Sequence, residues 1–181
     1  MRKLLLLLTL FSAFVFGQEV TLTADNFKNK EDLNKDYVVL ENLEGSNKEL
    51  FDKVKMFIFS KYKVSKDLPY SEVDGKSIVI DVRGNNEIRK IINMGNNLYR
   101  SIVRYELKFK DNKMMIKPYF LKLKNIDGLD VDLVKSGFMG AGLFKKDGSH
   151  NKHEDIVKVI EGESNDFIKS IKDYLTQKED W

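Results

Sequence analysis

Hydrophobic residues along the chain recur with different periods, and each period predicts a different element. Leu4 to Phe16, LLLLLTLFSAFVF, is a predominantly apolar stretch of 13 residues behind the cationic lead Met1-Arg2-Lys3, and Gly17-Gln18 follow it. That order of charge, apolar run and small residue predicts a secretory signal peptide over residues 1–17, with Val15 and Gly17 at the small-residue positions before the cut. A membrane-spanning helix needs ~20 such residues, so export and removal are expected rather than anchoring. Residues 18–36 are polar with scattered apolar positions and read as a loosely held lead-in to one domain over 37–181. YVVLENL, residues 37–43, is a β-branched run that predicts a strand ending at Glu44-Gly45.

The period then lengthens. Ser46 and Glu49 fit the S-x-x-E capping box, in which each side chain satisfies a free amide at a helix start. Leu50, Phe51, Val54, Phe57, Ile58 and Tyr62 recur at three- and four-residue spacing and give one wide apolar face. Strands follow. Tyr70–Val73 and Lys76–Arg83 flank Asp74-Gly75, a dipeptide suited to the positive φ of a tight hairpin turn. Glu87–Met94 precedes a turn at Gly95-Asn96-Asn97, after which a long pair of strands surrounds Asp111-Asn112. Residues 125–150 form a long, glycine-rich connection. A last helix is expected from about His153 to Gln177, with Ile156, Val159, Ile160, Phe167, Ile168, Ile171 and Leu175 on one face. Gly162 should bend it or divide it in two.

The long hairpin fixes its own register. If Asp111-Asn112 is a two-residue turn, Phe109 faces Met114, Leu107 faces Ile116, Tyr105 faces Pro118 and Val103 faces Phe120. That side is apolar apart from one hydroxyl. The other side carries Arg104, Glu106, Lys108, Lys110, Lys113, Met115, Lys117 and Tyr119, with Glu106 across from Lys117. A slip of one residue would mix the two sets, so the pattern and the turn support one another. Pro118 has no amide to donate, which favours an edge or a bulge there.

The segments YVVLE, KELFDKVKMFI and YELKFKDNKMMIKP resemble a bacterial domain of unknown function with a TATA-binding-protein-like (TBP-like) fold, found mostly in exported proteins of Bacteroidota. The likeness covers roughly Tyr37 to Leu123 with the final helix, about two-thirds of the chain. It implies an α+β fold in β-α-β4-α order, a curved antiparallel meander with two helices packed on one face. It implies no activity, and fold likeness does not transfer DNA binding.

Composition narrows the function further. The whole chain has a net charge of +3, but 31 Lys and Arg less Arg2 and Lys3 leaves 29 against 28 acids once residues 1–17 are removed. A global pull toward nucleic acid is therefore not expected, and any polyanion would need a local patch. The chain has no cysteine, which excludes disulfides, thiolate catalysis, cysteine metal sites and a lipid-modified amino-terminal cysteine.

Three segments offer chemistry. Arg104, Lys108, Lys110, Lys113 and Lys117, with Met115 and Tyr119 among them, suit phosphate or sulfate groups beside a flat aromatic contact. The same set also suits a solvated sheet face whose lysines discourage aggregation. DGSHNKHED, residues 147–155, holds both histidines. His150 and His153 on one helical face, with Asp147, Glu154 or Asp155, would make a zinc ligand set. No H-E-x-x-H signature accompanies them, and acids at a helix start have an ordinary electrostatic role, so no metal is expected. In GFMGAGLFKK, residues 137–146, Leu143 stands where a phosphate loop requires lysine. This segment reads as a flap whose Phe138, Met139, Leu143 and Phe144 cover an apolar ligand, dock a partner or, by default, pack on the core. Asp127, Asp130 and Asp132 do not match a calcium loop and read as solvated. Ser149 beside His150 is adjacency without a catalytic constellation.

The expectation is a non-enzymatic module of the periplasm or extracellular space, with no cofactor and no catalytic residue. It would bind a protein or an anionic or apolar ligand through the open sheet face or the 125–150 flap. Neither nucleic acid in vivo nor a stable membrane anchor after cleavage is expected. The alternative is a periplasmic hydrolase or metal-dependent enzyme built on the His150/His153 segment.

Overall fold

The computed structural model describes residues 18–62, 69–90, 97–125, 130–134, 141–151 and 154–177. In chain order the elements are β1 (Val20–Thr23), β2 (Asn26–Asn29), β3 (Val38–Leu40), α1 (Asn47–Lys61), β4 (Tyr70–Val73), β5 (Ser77–Arg83), β6 (Ile88–Lys90), β7 (Asn97–Lys110), β8 (Lys113–Asn125), β9 (Val131–Val134), β10 (Ala141–Phe144) and α2 (Glu154–Thr176). The architecture is α+β. Its main sheet runs β10-β9-β8-β7-β5-β4, with β3 against β8 and β6 against β7.

The long hairpin is the axis of this sheet, and its register is the one its turn dictates. Lys110 pairs with Lys113, Phe109 with Met114, Leu107 with Ile116, Tyr105 with Pro118 and Val103 with Phe120. Asn112 supplies the left-handed turn conformation at φ 60°. Between Ile102 and Val103 the ladder shifts, because β8 carries Leu121 as an extra residue. Phe120 and Leu123 therefore both point into the core although they are three apart.

The inward side of the hairpin meets both helices. Tyr105 stacks on Phe167 of α2 with ring centroids 3.8 Å apart, and Phe109 meets Phe51 of α1 edge-on at 5.5 Å. Helix α1 starts at the capping box, Ser46 and Glu49 each accepting the other's backbone amide, and buries Leu50, Phe51, Val54, Phe57 and Ile58. Helix α2 buries Ile156, Val157, Ile160, Phe167, Ile168, Ile171 and Leu175, and Ser164 fills the remaining position of the stripe. Tyr105 donates its hydroxyl to that serine at 3.2 Å, which satisfies two polar groups inside the core. Helix α2 is one continuous helix through Gly162, so the glycine does not mark a boundary between two shorter helices. The glycine is exposed with no atom near its missing side chain, so the helix loses nothing there but backbone stiffness.

Several expectations need correction. The sheet is mixed rather than wholly antiparallel, since β9 and β10 run parallel, and among the described residues it has eight strands. Both of those strands lie within the 125–150 connection, too short among glycines to stand out as strands. Residues 18–36 are not a loose lead-in. They hold the β1–β2 hairpin, whose Val20, Leu22 and Phe27 belong to the core. Its outer edge is held by α2: Asn165 exchanges both hydrogen bonds with the Val20 backbone, and Glu161 accepts from Leu22 N–H at 2.7 Å. The strand expected over 37–43 is only Val38–Leu40, because Asn42 turns left-handed and the Leu43 amide docks on Asn112. The first hairpin turn spans Asp74-Gly75-Lys76, so Ser77 and not Lys76 faces Val73. Of Glu87–Met94, Ile88–Lys90 form β6, and the rest beyond Lys90 lies outside the described residues.

The outer edge of β8 is closed in pieces. Strand β3 covers Met114 to Ile116, and β9 meets Leu123. Between them Asn26 donates to the Phe120 carbonyl at 3.0 Å and accepts the Phe120 amide at 2.8 Å, so one side-chain amide does the work of a strand residue. Pro118 sits on this edge just beyond the end of β3, where its missing donor leaves no gap in a ladder.

Candidate functional site

Alternation along β7 and β8 turns their charged residues away from the helices onto an open sheet face. The structure divides the predicted basic set on that face in two. Arg104 makes a two-point ion pair with Asp81, at 2.7 and 2.9 Å, and Asp81 is almost fully buried. Lys117 pairs with Asp36 at 2.7 Å. The hydrogen bond between them raises the lysine above its ordinary value and lowers the carboxyl. Lys108 pairs with its strand neighbour Glu106 at 2.7 Å, although Glu106 stands opposite Lys117 in the ladder. Tyr119 is half exposed on the same face. The middle of this face is therefore charge-balanced.

The turn end differs. A cleft of ≈ 530 Å³ opens there, reached by side chains from four strands and the loops beside them. Sheet register explains its make-up: Val39 stands beside Met115, Met115 beside Lys108, and Lys108 beside Ser77, so one row crosses β3, β8, β7 and β5. Val39 and Met115 give an apolar floor, with Tyr37 at one side. Lys76, Lys110 and Lys113 surround it with Lys108, against the single acid Glu41. Among the described residues Lys76, Lys110 and Lys113 have no carboxylate within ion-pairing distance. The nearest turn acid, Asp111, is occupied in accepting the Asn47 amide at the start of α1, at 2.9 Å. The hairpin thus contributes Lys108, Lys110 and Lys113 to the site, and Arg104 and Lys117 lie elsewhere on the face.

Tyr37, Val39, Glu41 and Lys76 escaped the sequence reading. Their signal is alternation within YVVLENL and DGKSIVI, but it acquires meaning only once β3 is known to flank β8 and β5 to flank β7.

A second concavity, of ≈ 230 Å³, lies between α2 and the β5–β6 connection. Its polar centre is the Glu163 carboxylate, which accepts the buried Ser101 hydroxyl at 2.6 Å and the Asn86 amide at 2.9 Å. A side chain at Gly84 would lie 2.3 Å from both Glu163 and Ser101 oxygens, so glycine there admits the carboxylate. The arrangement ties the β5–β6 connection to α2.

The flap reading fails for two of its residues. Leu143 and Phe144 are fully buried in β10 and belong to the core. Phe138 and Met139 lie outside the described residues. In the histidine segment, His150 bridges the backbone of Phe144 and its ring rests 4.8 Å from the Phe144 ring, while His153 lies outside the described residues. Ser149 donates its hydroxyl to Asp147 at 2.7 Å rather than to His150, which lowers the Asp147 carboxyl. Among the described residues no cluster of three or more His, Cys, Asp or Glu groups forms a metal site. Asp130 is not simply solvated: it pairs with Lys122 at 2.8 Å and accepts the Asn125 amide at 3.0 Å. Asp132 is exposed, and Asp127 lies outside the described residues. No helix among the described residues is long and apolar enough to cross a membrane.

No protein-family model matches the chain, and no curated protein matches it. Among solved structures it is similar to a DUF4468 family protein from Bacteroides ovatus, at 11% sequence identity and a TM-score of 0.48, over 80% of this chain and 87% of that chain. That neighbour is a Bacteroidota protein of a family of unknown function, and a likeness of this degree assigns no activity here.

Proposed function

We propose that the chain is an exported, non-enzymatic binding module of TBP-like fold, and that it captures its ligand or partner on the open sheet face. The observation that carries this reading is the cleft at the hairpin turn, where three unpaired lysines border an apolar floor. Cations are normally left near carboxylates or in free solvent, and apolar side chains are normally covered; a concave site holding both is suited to binding. The charged lead and apolar stretch of residues 1–17 support export, so the module would meet its ligand in the periplasm or outside the cell. Nucleic acid is not the expected partner, because the rest of the face carries acids as well as bases.

The test is photo-crosslinking in the exporting cell. A photo-reactive residue replacing Met115 should give a discrete adduct, whereas one replacing Lys158 on the outer side of α2 should give none. Equal labelling at both positions, or no adduct from position 115, would remove the open face as the binding surface.

A further inference from the structure

We infer that the occupant of the cleft is a single-chain anionic amphiphile, its head group held by Lys76, Lys110 and Lys113 and its apolar body laid on Met115 and Val39. This deepens the proposed function and rests on it. Charge complementarity carries the step. Among the described residues four lysines border the cleft, Lys108 already held by Glu106, and Glu41 is the one acid in the lining, so the unsatisfied charge there is positive and lies at the turn end.

Confinement separates this ligand from a polyanion. A long anionic chain following the hairpin would next meet Asp36, Glu106 and Asp81, the acids that neutralise Lys117, Lys108 and Arg104. Those closed ion pairs leave no free cation beyond the turn end to hold a second anionic group, which limits the anionic part to one head group. The floor selects the rest of the molecule, because Val39 and Met115 offer dispersion contacts and no hydrogen bond. A volume of ≈ 530 Å³ lies within the ~300–1,000 Å³ usual for small-molecule sites.

The experiment titrates the mature chain with dodecanoate below its micelle-forming concentration, following the Met115 methyl signal by NMR. Dodecyltrimethylammonium, acetate and poly-glutamate serve as comparison ligands. Dodecanoate should shift Met115 saturably, and added salt should weaken it. Acetate and the cationic amphiphile should fail to saturate in the same range. Changing Lys76, Lys110 and Lys113 together to Glu should weaken dodecanoate by about tenfold or more, with unchanged ring signals from the stacked Tyr105 and Phe167 showing that the core is intact. Equal affinity for the two amphiphiles, undiminished binding by the triple variant, or no shift of Met115 by dodecanoate would overturn the inference. If poly-glutamate alone shifts Met115, the amphiphile is wrong and the binding face stands. Loss of the position-115 crosslink as well would remove both.

Discussion

At the scale of single residues, the fold depends on side chains that act as pieces of backbone. Asn26 is nearly buried, holds a left-handed conformation at φ 79°, and closes the β8 edge through both its amide atoms. Glycine in its place would keep the backbone conformation and leave the Phe120 amide and carbonyl unpaired. Asn26→Gly should therefore cost about 1–3 kcal/mol in denaturant unfolding, with faster amide exchange at Phe120; unchanged exchange there would mean the clamp is not what closes the edge. Asn165 plays the same part on β1. None of this was legible in the sequence, where asparagine marks turns and surfaces equally well and its distant partner is invisible. The paired cations were half legible: alternation placed Lys117 and Arg104 on the open face, but their partners Asp36 and Asp81 come from other parts of the chain.

At the scale of elements, legibility followed length and period. Both helices and the long hairpin are periodic over many residues, and their bounds and buried faces matched the pattern closely. Short strands were not readable, because four residues such as VDLV or AGLF carry no period that distinguishes them from a loop. Helix α2 offers a direct test of its continuity. Gly162 is exposed and helical with open space around it, so Gly162→Ala should stabilise the chain by about 0.5–1 kcal/mol in thermal or denaturant unfolding. Destabilisation would indicate a bend at that position.

Strand β9 is anchored beside β8 by Asp130. Burial raises its carboxyl, but the hydrogen bonds from Lys122 and the Asn125 amide, with the charges of Lys122 and Lys124, outweigh burial and leave it below its ordinary 3.8. A carboxyl lowered in the folded state contributes stability above its ordinary value, and that contribution is lost as the pH falls through the folded value. The difference in melting temperature between the native chain and Asp130→Asn should be full at a pH well above the ordinary 3.8 and should close as the pH falls through the lowered folded value. A difference that persists in acid would assign the effect to packing instead.

At the scale of the whole molecule, one sheet separates two environments. Its inner side packs Tyr105 and Phe109 against two helices, and its outer side is open, charge-balanced along most of its length and cationic at the hairpin turn. The segregation of the hairpin's two sides was visible in the sequence. The cleft was only partly visible, since half of its lining comes from β3, β5 and their flanks, and strand order is not written in local periodicity. The proposed function depends on that segregation, because a slip of one residue in the hairpin would bury the lysines and dissolve the cleft.

Met114 and Met115 are adjacent in β8 and alternate across the sheet; both border the cleft, but Met114 is only 1% exposed and packed in the core whereas Met115 is partly open to solvent. Broadening of methionine methyl signals by a soluble paramagnetic probe therefore reads the orientation of the sheet directly. Met115 should broaden strongly while Met114 stays sharp; a broadened Met114 beside a protected Met115 would contradict the register, the open face and the site together.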